Sequence, residues 1–364
     1  MGCWQSSLED LVVMFSNFYS GKRVFLTGHT GFKGAWLALW LEQMGAQVAA
    51  YSLEPPSSPS LWSLANVEGS VKRVGGDINN AADISAAVRS FKPEIVIHMA
   101  AQSLVRPSYD NPLETLNTNV MGTANLLEAI RHTPHVRSVI IVTSDKCYEN
   151  QETGTPFVES DPMGGHDPYS ASKGCAELVT ASYVNSFFRQ NSTAVATVRA
   201  GNVIGGGDFA VDRLIPDMVR AFKAGNPVHI RSPHATRPWQ HVLEPLSGYL
   251  RLAKSLFEEG QEYVGAWNFG PEKESVKTVG EVVTFFSDLW GEGAAHQIDQ
   301  SEQPHEAKLL GLDCSKVNNE LGWKPKTDFE KAMEMTAEWY KEWANAGDVR
   351  SKTIKQIAEF EALK

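Results

Sequence analysis

Cysteine is scarce, with four residues, Cys3, Cys147, Cys175 and Cys314, in a chain of 364. Their wide spacing, without a CxxC pair or a neighbouring histidine cluster, argues against a disulfide framework and a structural zinc site, and fits a reducing cytoplasm. No metal is expected. Long hydrophobic runs are also missing: nothing approaches the ~18 consecutive apolar residues of a membrane span, so no membrane partner is expected. Positive charge is in deficit, with 33 Lys and Arg against 43 Asp and Glu and a formal net charge of −10. So acidic a chain is a poor binder of nucleic acid, which needs clustered positive surface. Any phosphate must be held locally, by backbone amides and a few placed arginines. Residues 1–20 lack the basic stretch of a secretory signal. Met1-Gly2-Cys3-Trp4-Gln5-Ser6 fits a formal acylation pattern, but the stretch reads as an arm that precedes the fold or packs on its surface.

What is present is a regular alternation. Apolar runs at residues 23–27, 47–51, 71–74, 94–99, 138–142 and 193–198 alternate with segments of helical period, such as residues 36–41 and 122–130. Continuous apolar strands separated by helices predict a parallel sheet covered on both faces. Right-handed crossovers make it doubly wound, with ligands at the carboxyl ends of the strands. The expected class is α/β, a Rossmann-type doubly wound parallel sheet with a smaller C-terminal substrate-binding domain. Residues 21–200 are assigned to the sheet, with a returning segment at 236–270. Residues 201–235 and 271–364, where glycine, proline and aromatics break the pattern, are assigned to the second domain. Helices are predicted over 212–224, 278–290 and 329–343, and a peripheral one after Gly347.

Gly28-His29-Thr30-Gly31-Phe32-Lys33-Gly34 lies between the first strand and the first helix. Glycines there allow a tight turn and close approach of backbone to a pyrophosphate, and the helix start supplies free N–H groups. Gly28, Thr30, Gly31, Phe32 and Gly34 are therefore candidate cofactor contacts. After the second strand, Glu54 is either a ribose acceptor or a solvated loop charge, and no arginine follows it to take a 2′-phosphate, so NAD is the expected cofactor. Asp77 and Ile78 after the third strand are further contacts, with Asp77 either facing adenine or forming a turn. Without an aspartate at the second strand's end, NAD should be held loosely.

Tyr169-Ser170-Ala171-Ser172-Lys173 opens a predicted helix, and its i, i+4 spacing puts the phenol and the amine on one face. A lysine there lowers the tyrosine pKa, making a general base that also bonds the cofactor ribose. Together with the glycine loop and Val142-Thr143-Ser144 at a strand end, this pattern resembles the extended short-chain dehydrogenase/reductase family from residue 21 onward. The resemblance implies that Ser144, Tyr169 and Lys173 polarise, deprotonate and position a substrate hydroxyl. Ser144 is followed by Asp145-Lys146, where nucleotide-sugar 4,6-dehydratases of this family carry an acid–base pair, typically Asp-Glu. With the TGHTGFKG loop, the run from Arg199 to Asp208 and the run from Arg237 to Val242, the chain is similar to the branch acting on CDP-glucose. That implies a redox-neutral dehydration in deoxysugar biosynthesis of the O-antigen type. Asp145 would protonate the leaving 6-hydroxyl and Lys146 would take the C5 proton. A surface ion pair is the alternative for these two residues, and a dehydratase or 4-epimerase of another nucleotide sugar is the alternative activity. Arg213 and Arg237 are candidate pyrophosphate ligands, Gln102 and Asn202 candidate substrate contacts, and Asn119 a structural support. His98 reads as a core histidine. The family's habit implies a homodimer.

Overall fold

A computed structural model of the chain describes Phe15, residues 17–298 and residues 310–363. Twelve strands are present among these: β1 (Arg23–Thr27), β2 (Gln47–Ser52), β3 (Lys72–Gly75), β4 (Ile95–His98), β5 (Ser138–Val142), β6 (Ala194–Ala200), β7 (Asn202–Ile204), β8 (Val228–Ile230), β9 (Thr236–His241), β10 (Gly265–Phe269), β11 (Val276–Thr278) and β12 (His296–Ile298). The main sheet has seven strands in the order β3-β2-β1-β4-β5-β6-β10, and every neighbouring pair is parallel. Strand order reverses between β1 and β4, which opens the crevice at their carboxyl ends where ligands bind in doubly wound sheets.

Alternation along the strands explains the two-faced burial. Val24, Leu26, Ile95, Ile97 and Ile140 face one hydrophobic core, whereas Phe25, Val96, Val139 and Ile141 face the other. Side chains of successive strand residues point to opposite faces, so an unbroken apolar run requires cover on both. The helix Phe32–Gln43 is buried from Gly34 to Leu41, because it is enclosed by the sheet on one side and C-terminal elements on the other. Trp36 Nε1 donates to the Gly206 carbonyl at 2.9 Å, and Trp40 Nε1 to Glu361 at 2.7 Å.

Of the segment 236–270, β10 and the helix Leu243–Glu259 join the main sheet and its core. Strand β9 instead pairs with β7 and β11 in a three-stranded sheet, and β8 pairs with β12. The stretch before residue 21 does not end as a surface arm: Tyr19 is completely buried and donates to the Leu250 carbonyl at 2.6 Å. Phe15 meets Trp40 edge-on, and Phe18 meets Phe257 in the same way, so aromatic burial anchors this stretch. Met1 to Ser6, with Cys3, lie outside the described residues. The tail helix Val349–Ala362 also buries Ile357 and Phe360, while Arg350 pairs with Glu42 on the first helix.

Behind the crevice a buried charge network ties the helix Pro168–Tyr183 to two strands. Glu177 accepts from Arg199 Nε and Nη2 at 2.9 and 2.8 Å, from Thr197 at 2.7 Å and from Thr143 at 2.5 Å. Arg199 also donates to the Tyr148 hydroxyl at 2.6 Å. A carboxylate so enclosed is tolerable only while paired. Arg199→Met should therefore destabilise the fold by about 3–5 kcal/mol, the range for stranding a buried charge. Urea unfolding of the variant checks this, and a loss below about 1 kcal/mol, the scale of an exposed pair, would contradict it.

Candidate active site

The glycine loop leaves β1 at the crevice. Gly28 has φ +76°, and a Cβ there would lie 2.5 Å from the Ala100 amide nitrogen. At Gly34 a Cβ would lie 2.2 Å from the Gly28 carbonyl oxygen. These two glycines are thus fixed by backbone crowding. Gly31 is the N-cap of the first helix; no side chain caps that end, and no acidic residue occupies its first turn. Uncapped N–H groups beside a loop this tight suit a pyrophosphate. The backbone therefore fits the dinucleotide expected here, with Phe32 and Ile78 also lining the cleft. Thr30 turns its hydroxyl to Ser52 and the Leu53 carbonyl, at 2.9 and 3.1 Å, and so braces the loop against β2.

Beyond the cradle the structure bears on two of the sequence readings. Parallel pairing of β2 with β3 brings Arg73 beside Glu54, and Glu54 and Glu68 both pair with it. An arginine absent from the sequence after Glu54 is thus present in space. Asp77 Oδ1 accepts from the Asn79 amide at 2.9 Å, which forms the turn, while the residue still lines the cleft.

Ser144, Asp145 and Lys146 continue from β5 into a short turn spanning Asp145–Cys147. Ser144 Oγ donates to Asp145 Oδ1 at 3.0 Å and accepts from the Lys146 amide at 3.2 Å. The helix carrying Tyr169 and Lys173 starts where Asp167 Oδ1 accepts from the Ser170 amide at 2.9 Å. Tyr169 and Ser144 line the same cleft, and Lys173 Nζ donates to the Val142 carbonyl at 3.1 Å. Burial pushes the Tyr169 phenol up to about 12, against a lowering by the Ser144 bond. Burial likewise pushes the Lys173 amine down to about 8. Both groups have lost water, and hydrogen bonding with Ser144 is the largest influence that favours the phenolate. Asp145 is raised, chiefly by burial, and its Oδ2 is enclosed without a hydrogen-bond partner. Desolvation favours the neutral acid.

The second half of the cleft comes from C-terminal segments. Arg213, ahead of the helix Leu214–Lys223, pairs with Asp208 at 2.9 Å and donates to Ser103 at 3.3 Å, across from the loop after β4. Arg237 on β9 and Asn202 on β7 line the same space, and Arg237 acts electrostatically on Asp145. Gln102 is a correction. Its amide donates to the Leu104 carbonyl and Thr115, and its oxygen accepts from the Leu104 amide, so its side chain shapes the loop. Asn119 brackets the Gln102 backbone and donates to Ser172 at 2.8 Å. His98 is buried between Thr27 and Thr123 and held neutral, near 3, mainly by burial.

Two residues of the loop had no assigned role in the sequence. Lys33 points into the cleft among Asp145, Asp208, Arg213 and Lys173, and burial first, then its cationic neighbours, lower it to about 8. His29 is buried edge-on to Trp62 at 4.7 Å, and burial lowers it to about 4. The signal for both was a polar side chain inside a glycine loop.

The cleft encloses about 1800 Å³. A pocket for one drug-sized ligand runs to about 1,000 Å³, so two extended ligands fit side by side. Residues 25–336 match the family model described as GDP-mannose 4,6 dehydratase. The chain belongs to that family. It is 48% identical to the CDP-glucose 4,6-dehydratase of Salmonella typhimurium strain LT2, over 94% of this chain and 97% of the relative. Identity to the dTDP-glucose 4,6-dehydratase of Xanthomonas campestris strain B100 is 27%, over 86% and 92%. Among solved structures, the epimerase Mth375 of Methanothermobacter thermautotrophicus superposes with TM-score 0.80 at 23% identity, over 94% of this chain and 98% of that one. The dTDP-glucose 4,6-dehydratase of Bacillus anthracis, in complex with NAD, gives 0.73 at 22%, over 90% and 99%. These likenesses establish the extended Rossmann fold.

Proposed function

We propose that this chain dehydrates CDP-D-glucose to CDP-4-dehydro-6-deoxy-D-glucose, with NAD as a cofactor regenerated in each turnover. The observation that carries the reading is a buried carboxyl, Asp145, hydrogen-bonded to Ser144 in the same cleft as the Tyr169-Lys173 pair. A 4-epimerase needs the Tyr-Lys half alone. The base preference for CDP is supported by the 48% identical relative.

Gly28, Gly31, Phe32 and Gly34 would hold the NAD pyrophosphate, Asp77 and Ile78 its adenosine end, and Lys173 its ribose. When bound, NAD accepts a hydride from C4 and returns it to C6. Tyr169, as phenolate, takes the proton of the 4-hydroxyl, which Ser144 polarises. The resulting ketone acidifies the C5 hydrogen. Lys146 removes that proton while Asp145 protonates the departing 6-hydroxyl. Asp145 is suited to this because burial raises its carboxyl and so favours the protonated acid. Arg213 and Arg237 anchor the substrate pyrophosphate, and Asn202 and the Gln102 loop close around the sugar.

The division of labour follows the chain. Residues 21–200, with β10, hold the cofactor and carry the reacting groups, and residues 201–235 and 271–364, together with β9 and its Arg237, hold the substrate. A homodimer is supported by exposed apolar side chains on two helical stretches, Leu113, Leu116 and Met121 on one and Leu178 and Phe187 on the other. Among the described residues no helix is long and apolar enough to cross a membrane, and we assign the enzyme to the cytoplasm.

Incubation with NAD and CDP-, dTDP-, GDP- or UDP-glucose, read by mass spectrometry, tests the reading. Loss of one water from CDP-glucose is expected. Unchanged mass with an altered sugar would make the chain an epimerase, and loss of water from another substrate would move the base preference.

The two half-reactions should separate by mutation. Lys146→Met keeps the stem and removes the amine, so rapid mixing should show NADH forming and persisting, with turnover lowered about 10²–10⁴-fold. Tyr169→Phe should leave NAD oxidised. Parental turnover in Lys146→Met would mean that another group takes the C5 proton.

A further inference from the structure

Asp145 has one bonded oxygen and one bare one. Oδ1 accepts from Ser144 at 3.0 Å, whereas Oδ2 is enclosed with no hydrogen-bond partner. The residue is only 3% exposed, yet it lines the cleft. Two residues from later in the chain account for the bare oxygen.

The first is Gly201, the single residue between β6 and β7, which also lines the cleft. A Cβ placed on it would lie 3.0 Å from Asp145 Oδ2 and 2.8 Å from Pro238 Cγ. Its φ is not in the left-handed region, so the backbone does not call for glycine here; the lack of space does. The second is Pro238. It is buried, and it sits on β9, the middle strand of the sheet β11-β9-β7, opposite Val276. Proline gives up a ladder donor and is normally confined to edge strands and bulges. Residues that break a local rule in this way concentrate at functional sites.

We propose that Gly201 and Pro238 are positioning residues for the acid of the reaction: the glycine makes room for Asp145 Oδ2, and the proline ring fills the rest of that room with nothing that can donate to it. The proposal rests on the reading of Asp145 as the group that protonates the 6-hydroxyl. A carboxylate is acceptor-only and needs donors to offset its lost water, whereas a carboxylic acid carries its own proton. A dry wall at Oδ2 therefore penalises the charged form and keeps the acid loaded.

That penalty has opponents. Lys146, Arg237 and Lys33 all favour the carboxylate, as does the bond from Ser144, yet burial outweighs them. Tyr169, Cys147 and Tyr249 also interact with Asp145; burial raises each of them, and none donates to Oδ2. With cations already present, a donor or a water at Oδ2 would complete the solvation of the carboxylate. The wall keeps both away.

Two substitutions breach it from different segments. Pro238→Ala removes the ring and leaves space on the scale of one water beside a polar atom. Gly201→Ser brings a hydroxyl donor to the same oxygen. Infrared difference spectra of the NAD-loaded, substrate-free protein against Asp145→Asn report the protonated carboxyl directly. A donor to the charged form lowers a pKa, so the band should vanish at a pH lower than in wild type by about one unit or more in each variant. In rapid-quench turnover of CDP-glucose, the alkaline fall of water expulsion should move the same way. A merely structural role would lower the rate at every pH without moving that fall. Circular dichroism and NAD affinity identify a folded variant, and either one suffices for the test. A band that titrates as in wild type, or at higher pH, in a folded variant overturns the proposal. If the wild-type protein expels no water from CDP-glucose while the band still shifts in the variants, the dehydratase reading fails and the wall stands.

Discussion

Glu177, one turn beyond Lys173 on its helix, has given up its water for donors from two directions: Thr143, just past the end of β5, and Thr197 and Arg199 on β6. Since the carboxylate is buried, it cannot part from Arg199 without a large cost, and the helix bearing Tyr169 and Lys173 is locked in register with both strands. Ser144 follows directly from Thr143. The network therefore sets how far the phenol stands from the serine, and through the serine from Asp145. Tyr148, held by Arg199 and by Asn268 on β10, extends the same constraint to the sheet's last strand. The reactive groups remain in place because a charge behind them has no other partner to turn to.

Burial does the chemical tuning in front of that network. The same loss of water that raises Asp145 and Tyr169 lowers Lys173 and Lys33, so acids hold protons and amines release them more readily than in solution. For Asp145 and the two amines the shift runs towards neutral pH, as acid–base chemistry there requires, whereas Tyr169 moves away from it. Asp145 gains most from it: one oxygen is bonded to Ser144, and the other is enclosed without a partner. An unsatisfied buried carboxylate oxygen is costly, which again favours the protonated acid.

Much of this was legible in the sequence because it rests on local rules. The unbroken apolar runs required a sheet covered on both faces, and the glycine loop had to sit between strand and helix. The i, i+4 pair Tyr169 and Lys173 had to share a helix face. What escaped depended on distant partners. Tyr19 sits in a stretch with no periodic pattern, yet its burial is fixed by Leu250, far along the chain. Arg73 reaches Glu54 only because β3 lies beside β2. Gln102 looked available for substrate until Leu104 and Thr115 claimed its amide. Lys33 carried no role in the sequence reading, whereas the fold turns it into the cleft. Side-chain destinations of this kind are set by tertiary packing, which spacing does not encode.

The central claim is that oxidation at C4 and reduction at C6 belong to one closed cycle in a single cleft. The most direct measurement is conversion of CDP-glucose deuterated at C4, in ordinary water, with the product examined by NMR and mass spectrometry. The account predicts deuterium at C6 and a solvent-derived proton at C5, with no label lost to the medium. Deuterium released to bulk water, or retained at C4, would contradict it.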